Sequence, residues 1–172
     1  MSESELWKEI RELQAQVNEL RSINRPDKTI FAKYKTTAGQ TVATGDTDII
    51  NFDTKIADQY NCVTTGAAWK FTAPRYGTAF VFAKIQTAAN AGWAVGEITS
   101  IASYKNGVFN GEMDGDMNLA ANSRVWLAGS IPITMNAGDY IDVRWYQNSG
   151  GNVSLSKTDL YCWISIALLR TY

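Results

Sequence analysis

The sequence contains no histidine, and only two cysteines and three prolines in 172 residues. Without histidine it lacks the commonest general base, the usual partner of a serine or cysteine nucleophile, and the favoured metal ligand. Cys62 and Cys162 lie 100 positions apart and form neither a CxxC pair nor a zinc spacing. Two readings are open for them: buried free thiols packed as small apolar side chains, or one long-range bridge. An excess of charge is missing too, since 16 Lys and Arg against 17 Asp and Glu leave a net charge of -1. A chain so balanced is not built to grip nucleic-acid phosphates or an anionic membrane surface. The uncharged stretch from Ile85 to Gly96 is too short and too rich in Ala, Gly, Asn and Gln to span a bilayer. The acidic N-terminus, Met1-Ser-Glu-Ser-Glu5, has no apolar run behind it, so no secretory signal is expected and synthesis in a cytoplasm is. No G-x-S-x-G, Walker loop or dinucleotide fingerprint stands in a suitable context.

What is present falls into two parts. Residues 1–28 hold six acids, five bases and no glycine, while residues 29–172 hold eleven charges of each sign and all 13 glycines. Pro26-Asp27 marks the break, because a proline discourages helix in the residue before it. In the first part Leu6, Ile10, Leu13, Val17 and Leu20 are spaced 4, 3, 4, 3, an alternating a/d seam. Lys8, Glu9, Arg11, Glu12 and Glu19 fill the positions between them as a solvated face. This predicts a helix of about 30 Å for about twenty residues at 1.5 Å each. The helix either packs on its own domain or self-associates as a short coiled coil. The narrow seam favours the coiled coil. β-branched a positions with leucine at d lean towards dimers, and so few heptads need a second contact to hold an oligomer together.

The second part alternates short apolar-aromatic runs with Gly, Asn, Asp, Ser and Thr turns, the pattern of an antiparallel two-sheet sandwich. The predicted strands are 29–35, 47–51, 68–71, 77–87, 97–105, 117–127, 139–147 and 158–169. Turns are expected at Thr44-Gly45-Asp46, Asn106-Gly107, Asp114-Gly115-Asp116 and Asn148-Ser149-Gly150-Gly151. Eight strands in this length suit a jelly roll. Ile141, Val143 and Trp145 share one face of their strand, with Asp142 and Arg144 on the other. The last strand is apolar on both faces. Leu160, Cys162, Ile164, Ile166 and Leu168 form one, and Tyr161, Trp163, Ser165, Ala167 and Leu169 the other. Such a strand needs cover on both sides, and in a domain without a spare helix a neighbouring subunit is the simplest second cover.

Two stretches then resemble a known family. Ile50-Asn-Phe52-Asp53 followed by Phe71-Thr-Ala-Pro74-Arg-Tyr-Gly77-Thr-Ala-Phe80-Val-Phe82 is similar to the F-D-x…F-x-A-P-x-x-G-x-Y-x-F run of C1q/TNF-like trimeric jelly rolls. Ile133-Thr-Met-Asn-Ala-Gly138-Asp139-Tyr-Ile-Asp-Val143 is similar to the family's L-x-A-G-D-x-V-x-V, and Trp163 to Leu169 to its closing strand. The resemblance covers residues 29–170. It implies an all-β, two-sheet antiparallel jelly-roll head over 29–172, behind an N-terminal coiled-coil helix over 1–28, assembled as a homotrimer. Tyr161, Trp163, Ile164, Ile166 and Leu168 of the closing strand would lie at the threefold axis or core. Pro74 and Gly77 would shape the start of a strand whose Phe80 and Phe82 fill the core. Ala79-Phe80 stands where the family often has tyrosine, so the register is approximate.

The absence of a collagenous stretch or secretory signal sets the chain apart from complement components, adipokines and vertebrate cytokines. A coiled coil, a jelly-roll head and no catalytic apparatus resemble bacteriophage fibre and decoration proteins instead. The expectation is a non-enzymatic virion protein without a resident cofactor. Its helix would bind other virion proteins and its head a host-surface glycan or protein. Trp93, Tyr104 and Phe109, beside glycine-rich turns, and Asp114 and Asp116 are candidate receptor-loop residues, since exposed aromatics are common contact points. Trp69, Trp145 and Trp163 sit in apolar runs and read as core or interface. Asp114-Gly-Asp116-Met-Asn118 opens like a calcium loop, but Leu119 and Val125 stand where an EF-hand needs Gly and Glu. A solvated loop is the plainer reading, with calcium at a trimer apex the family-based alternative. Decoration without a receptor, or glycan cleavage by Glu112 and Asp114, are the other functional readings.

Overall fold

The computed structural model describes residues 3–23, 29–88, 93–117, 124–157 and 161–170. Among the described residues a single helix, α1 (Glu3–Ile23), precedes thirteen strands. These are β1 (Ile30–Lys35), β2 (Thr41–Val42), β3 (Thr47–Ile49), β4 (Thr54–Asp58), β5 (Val63–Thr64), β6 (Lys70–Thr72), β7 (Gly77–Gln86), β8 (Ile98–Lys105), β9 (Val108–Met117), β10 (Trp126–Met135), β11 (Tyr140–Gln147), β12 (Val153–Ser154) and β13 (Trp163–Leu169). The first sheet runs β10-β7-β13-β1-β4 and the second β5-β6-β11-β8-β9, with β3 also on β11 and a small β12-β2 ladder beside them. Every ladder is antiparallel.

The two sheets close over one apolar core. Ala79, Val81, Ala83 and Ile85 of β7 and Ile164, Ile166 and Leu168 of β13 face Phe71, Ile101, Ile141, Val143 and Trp145 of the second sheet, all at most 2% exposed. Trp69 is fully buried, its ring edge-on to Phe52 at 5.4 Å and to Tyr34 at 6.4 Å. Trp145 Nε1 donates to Thr99 Oγ1 at 2.7 Å, so this indole is satisfied inside. Buried Asp58 accepts from Tyr34 Oη at 3.0 Å and from the backbone N–H groups of Cys62 and Val63. Burial first, then that carboxylate, pushes the Tyr34 phenol well above its ordinary range. Cys62 and Cys162 are free and buried, which decides between the two readings of the cysteines.

Local chemistry sets the turns. Asn106 and Gly107 take φ of 52° and 78° and join β8 to β9 as the two-residue hairpin that Asn-Gly favours. Gly138, at φ 88°, turns the chain into β11. There Asp139 accepts from Asn136 N, Asn106 Nδ2 and Lys105 Nζ at 2.8 to 2.9 Å. The Gly138-Asp139 turn and the Asn106-Gly107 turn are thereby tied together at one end of the second sheet.

Two expected features are corrected. Of the expected strand over 117–127, Met117 ends β9 in the second sheet and Trp126 and Leu127 begin β10 in the first, while residues 118–123 lie outside the described ones. Asp114-Gly115-Asp116 is accordingly not a turn but part of β9, paired with β8 through a bulge. The two edge strands then close the side of the sandwich. A Cβ on Gly129 of β10 would lie 2.1 Å from the Met113 carbonyl oxygen of β9, so only glycine permits this approach. Asp114 Oδ2 accepts the Ala128 N–H at 2.6 Å across the same seam. The second correction is one of register. Phe80 and Phe82 are 38% and 45% exposed, on the outward side of β7, and the small residues between them fill the core instead. Gly77 is needed at the start of that strand, where a Cβ would sit 2.2 Å from the Leu169 carbonyl oxygen.

Candidate functional site

Two surfaces carry features that folding alone does not use. The first is the outward face of the first sheet. Register places Pro132, Phe80, Ala167 and Phe31 in one cross-strand row. The next row is Ser130, Phe82, Ser165 and Lys33, and the third is Ala128, Lys84, Trp163 and Lys35. Phe31, Phe80, Phe82 and Leu169 are 40%, 38%, 45% and 39% exposed. Adjacent large aromatic side chains left this open form an apolar patch of the kind that marks an interaction surface. A hollow of about 210 Å³ lies among Phe82, Lys84, Ala128, Ser130 and Trp163. Towards the other end the patch becomes cationic and aromatic. Lys33 Nζ stands 5.3 Å over the Trp163 ring and Lys84 Nζ 4.8 Å over the Trp126 ring, which meets Tyr161 edge-on at 4.8 Å.

The closing-strand residues therefore divide. Ile164, Ile166 and Leu168 point into the sandwich and are not on any outer surface, whereas Tyr161 and Trp163 are on the outward side with Ala167 and Leu169. The inner face of the strand is covered by the chain's own second sheet, as expected, while on its outer face Leu169 is 39% exposed.

The second surface is the outer face of the second sheet. Tyr104 and Phe109 come together there across the hairpin, rings edge-on at 5.7 Å, with Phe109 58% exposed. The Arg144 guanidinium lies 3.9 Å from the Tyr104 ring centre. Arg144 Nε donates to Asp142 Oδ1 at 2.7 Å, and that hydrogen bond with the carboxylate raises the guanidinium's pKa. The remaining candidate residues do not join this pair. Trp93 is 1% exposed, so it is a core residue and not a receptor-loop one. Its glycine-flanked setting suggested an open loop, and residues 89–92 lie outside the described ones. Asp114 spends its carboxylate on Gly115 N and Ala128 N, a role in closing the sandwich that no sequence signal announced. Asp116 is exposed beside Glu112 in an open hollow of about 410 Å³ on β8 and β9. Among the described residues no group of three His, Cys, Asp or Glu side chains could hold a metal ion. Asn118, the third residue of the calcium-like run, lies outside them.

The helix is a third exposed feature. Leu6, Leu13, Val17 and Leu20 are 42% to 58% exposed and Ile10 is half-buried, so the seam is not covered by the chain's own head. Among the described residues no helix is long and apolar enough to cross a membrane.

This architecture matches solved structures over most of the chain. The Eiger TNF of S. frugiperda aligns with a TM-score of 0.56 and 13% identity, covering 86% of this chain and 96% of that one. Murine APRIL aligns with a TM-score of 0.58 and 8% identity over 83% of this chain and 100% of its own. The fold is a TNF/C1q-like jelly roll. The globular domain of a zebrafish complement 1qA protein agrees, with a TM-score of 0.54 and 9% identity over 84% of this chain and 100% of that domain. No protein-family model matches the sequence, and no curated protein does either. At these identities the jelly roll is shared and nothing more specific.

Proposed function

We propose that the chain is a non-enzymatic homotrimer of a bacteriophage particle. Its jelly-roll head binds a host-surface receptor, and its N-terminal helix anchors it to other virion proteins. The observation that carries this reading is the outward face of the first sheet. A patch of exposed Phe31, Phe80 and Phe82 with Leu169 beside them is costly to leave in water, and a second copy of the chain is the cover always at hand. That face meeting a different surface of the next copy is a heterologous contact, which closes into a ring when the rotation allows. The resemblance of the sequence to trimeric jelly rolls supports a threefold ring. The uncovered helical seam gives three chains a second contact in the same parallel order, and the wider head contact overrides the seam's own leaning towards dimers. Three heads on one stalk multiply a weak single-site affinity without adding any contact.

The test is the mass of the intact protein in dilute buffer, expected at three times 19.0 kDa. A mass of one or two chains overturns the assembly. Purified protein is then applied to cells of the phage's host, with surface polysaccharide as competitor. Saturable, competed binding supports adhesion. No binding together with tight capture by purified particles replaces adhesion with decoration.

A further inference from the structure

The three cross-strand rows on the outer face of the first sheet contain Lys33, Lys35 and Lys84 and no carboxylate. Among the described residues Lys33 and Lys84 have no anionic partner. Each ammonium rests over a tryptophan ring instead, 5.3 Å from Trp163 and 4.8 Å from Trp126. A ring face steadies a lysine but fills none of its hydrogen-bond donors. Covering this face with another copy would bury two cations, which is costly unless the cover brings opposite charge.

Most carboxylates of the head are spent inside it. Asp53, Asp58, Asp139 and Asp142 accept from donors of their own chain, Asp114 closes the β9–β10 seam, and Glu97 takes the Ala94 N–H. Among the described residues of the head Asp46, Asp48, Glu112 and Asp116 have no such partner. The two pairs differ in their surroundings. Ile98 and Met117, 42% and 53% exposed, flank Glu112 and Asp116 in the open hollow on β8 and β9. Gly115 makes room there, since a Cβ would lie 2.5 Å from Glu112 Oε1. Asp46 and Asp48 stand on or beside β3, and neither β3 nor its partner β11 exposes a large apolar side chain.

Height along the strands decides which charges can meet. Lys84 pairs with Ala128, whose N–H is held by Asp114, so these three stand at one level. Glu112 and Asp116 lie two residues either side of Asp114 on β9, and Lys33 is in the row next to that of Lys84. In a parallel ring, with the helices side by side, equal heights face each other. Contact between a broad face and the margin of the next copy also turns each chain against the last, as closure requires. A broad face on the opposite broad face would propagate an open row.

We infer that the other half of the head contact is this β9 margin. Lys33 and Lys84 of one copy meet Glu112 and Asp116 of the next, and Ile98 and Met117 lie against the tryptophans that carry the lysines. The inference rests on the homotrimer proposed above and names its second surface. The test is sedimentation velocity of the full-length chain at falling concentration. Lys33→Glu with Lys84→Glu, and separately Glu112→Lys with Asp116→Lys, are each expected to raise the concentration of half-assembly about a hundredfold. None of the four side chains is buried, and circular dichroism verifies the fold of each variant. All four substitutions in one chain exchange the signs and are expected to bring the trimer back. Asp46→Lys with Asp48→Lys is expected to leave it intact. The parent needs no substitution to respond: raising sodium chloride from ~0.05 to ~0.5 M is expected to raise its half-assembly concentration about tenfold. Indifference of the parent to salt, a double variant at either surface that assembles like the parent, or a folded fourfold variant that stays apart overturns the pairing. Dissociation by the Asp46 and Asp48 variant moves the contact to β3 and overturns it too. A monomeric parent removes the homotrimer itself, whereas a trimer indifferent to every reversal removes this inference alone.

Discussion

Replacing Phe80 and Phe82 together by serine separates assembly from folding. Both side chains leave β7 on the side away from the core, while Ala79, Val81 and Ala83 keep the inner packing intact. A phenylalanine buries about 150–250 Å² when fully enclosed, and these two remain 38% and 45% exposed in the single chain. Each ring thus has roughly 80 Å² left to cover, worth about 2 kcal/mol at ~25 cal/mol per Å². Two rings in each of three subunits give about 12 kcal/mol per trimer, close to nine orders of magnitude in the three-body equilibrium constant. The concentration at half-assembly follows the square root of that constant, so it rises by roughly four orders of magnitude. Sedimentation velocity at micromolar concentration reads the result directly. The parent sediments as a trimer and the double variant as a monomer with an unchanged circular-dichroism spectrum. A double variant that still sediments as a trimer on dilution refutes the argument that this face is the contact. Loss of native circular dichroism refutes the register of β7.

Three more outcomes follow from the same geometry. Gly129→Ala forces β10 off the Met113 carbonyl and stretches the Asp114–Ala128 hydrogen bond, so urea unfolding is expected to show a loss of about 3 kcal/mol; a change within ~0.5 kcal/mol contradicts the close approach. Asp139 is held down to about 2 by hydrogen bonds from Asn106, Asn136 and Lys105, in that order of weight. Its folded value lies below the unfolded one, so its contribution is complete above pH ~4 and lost as pH falls towards 2; carboxyl NMR titration checks the midpoint, which Asn106→Ala raises. Burial, then the Asp58 charge, pushes the Cys62 thiol up to about 12, and burial raises Cys162 as well. Iodoacetamide at pH 8 is expected to label neither until denaturant is added, and rapid labelling of the native protein contradicts their burial.

How much of this was legible beforehand depends on what each face touches. The helix, β8, β11 and the Asn106-Gly107 hairpin follow from strong local patterns; β8 and β11 lie within one residue of the expected spans, and the described helix runs from Glu3 to Ile23 of an expected 1–28, with 24–28 outside the described residues. The register of β7 could not be settled that way. Gly77-Thr-Ala-Phe-Val-Phe-Ala-Lys-Ile alternates apolar residues on both faces, and period two says that neighbours oppose each other, not which one is inside. The larger side chains looked like the core, but the core at β7 is narrow and takes alanine and valine. β9 escaped because Val108-Phe-Asn-Gly-Glu-Met-Asp-Gly-Asp-Met117 has no fully buried position and its Asp-Gly-Asp reads as a turn. β10 carries Gly129 and Pro132, which in an edge strand are tolerated and in a sequence look like breaks. Trp93 misled in the opposite direction, since glycine neighbours do not keep an indole at the surface. Asp142 and Arg144 were read correctly as facing away from the core. The cleft of about 150 Å³ beside them, where β3 and β6 share one edge of β11, was invisible, because it is a matter of topology and not of any local run.

The position of β13 bears on how the protein is made. Of the described strands it is the last to emerge from the ribosome, yet it lies at the centre of the first sheet, between β7 and β1. The earliest strand must therefore wait for the latest, with Ile30 pairing to Leu168. Until then the nascent chain carries two open ladders and an exposed patch of phenylalanines. A premature stop anywhere before Trp163 would remove the middle of that sheet and not its margin, leaving a product fit only for degradation. Any contact made through the outer face of the first sheet must wait for β13. Only α1, which ends at Ile23, has all its residues out early enough to make contacts while the head is still being synthesised.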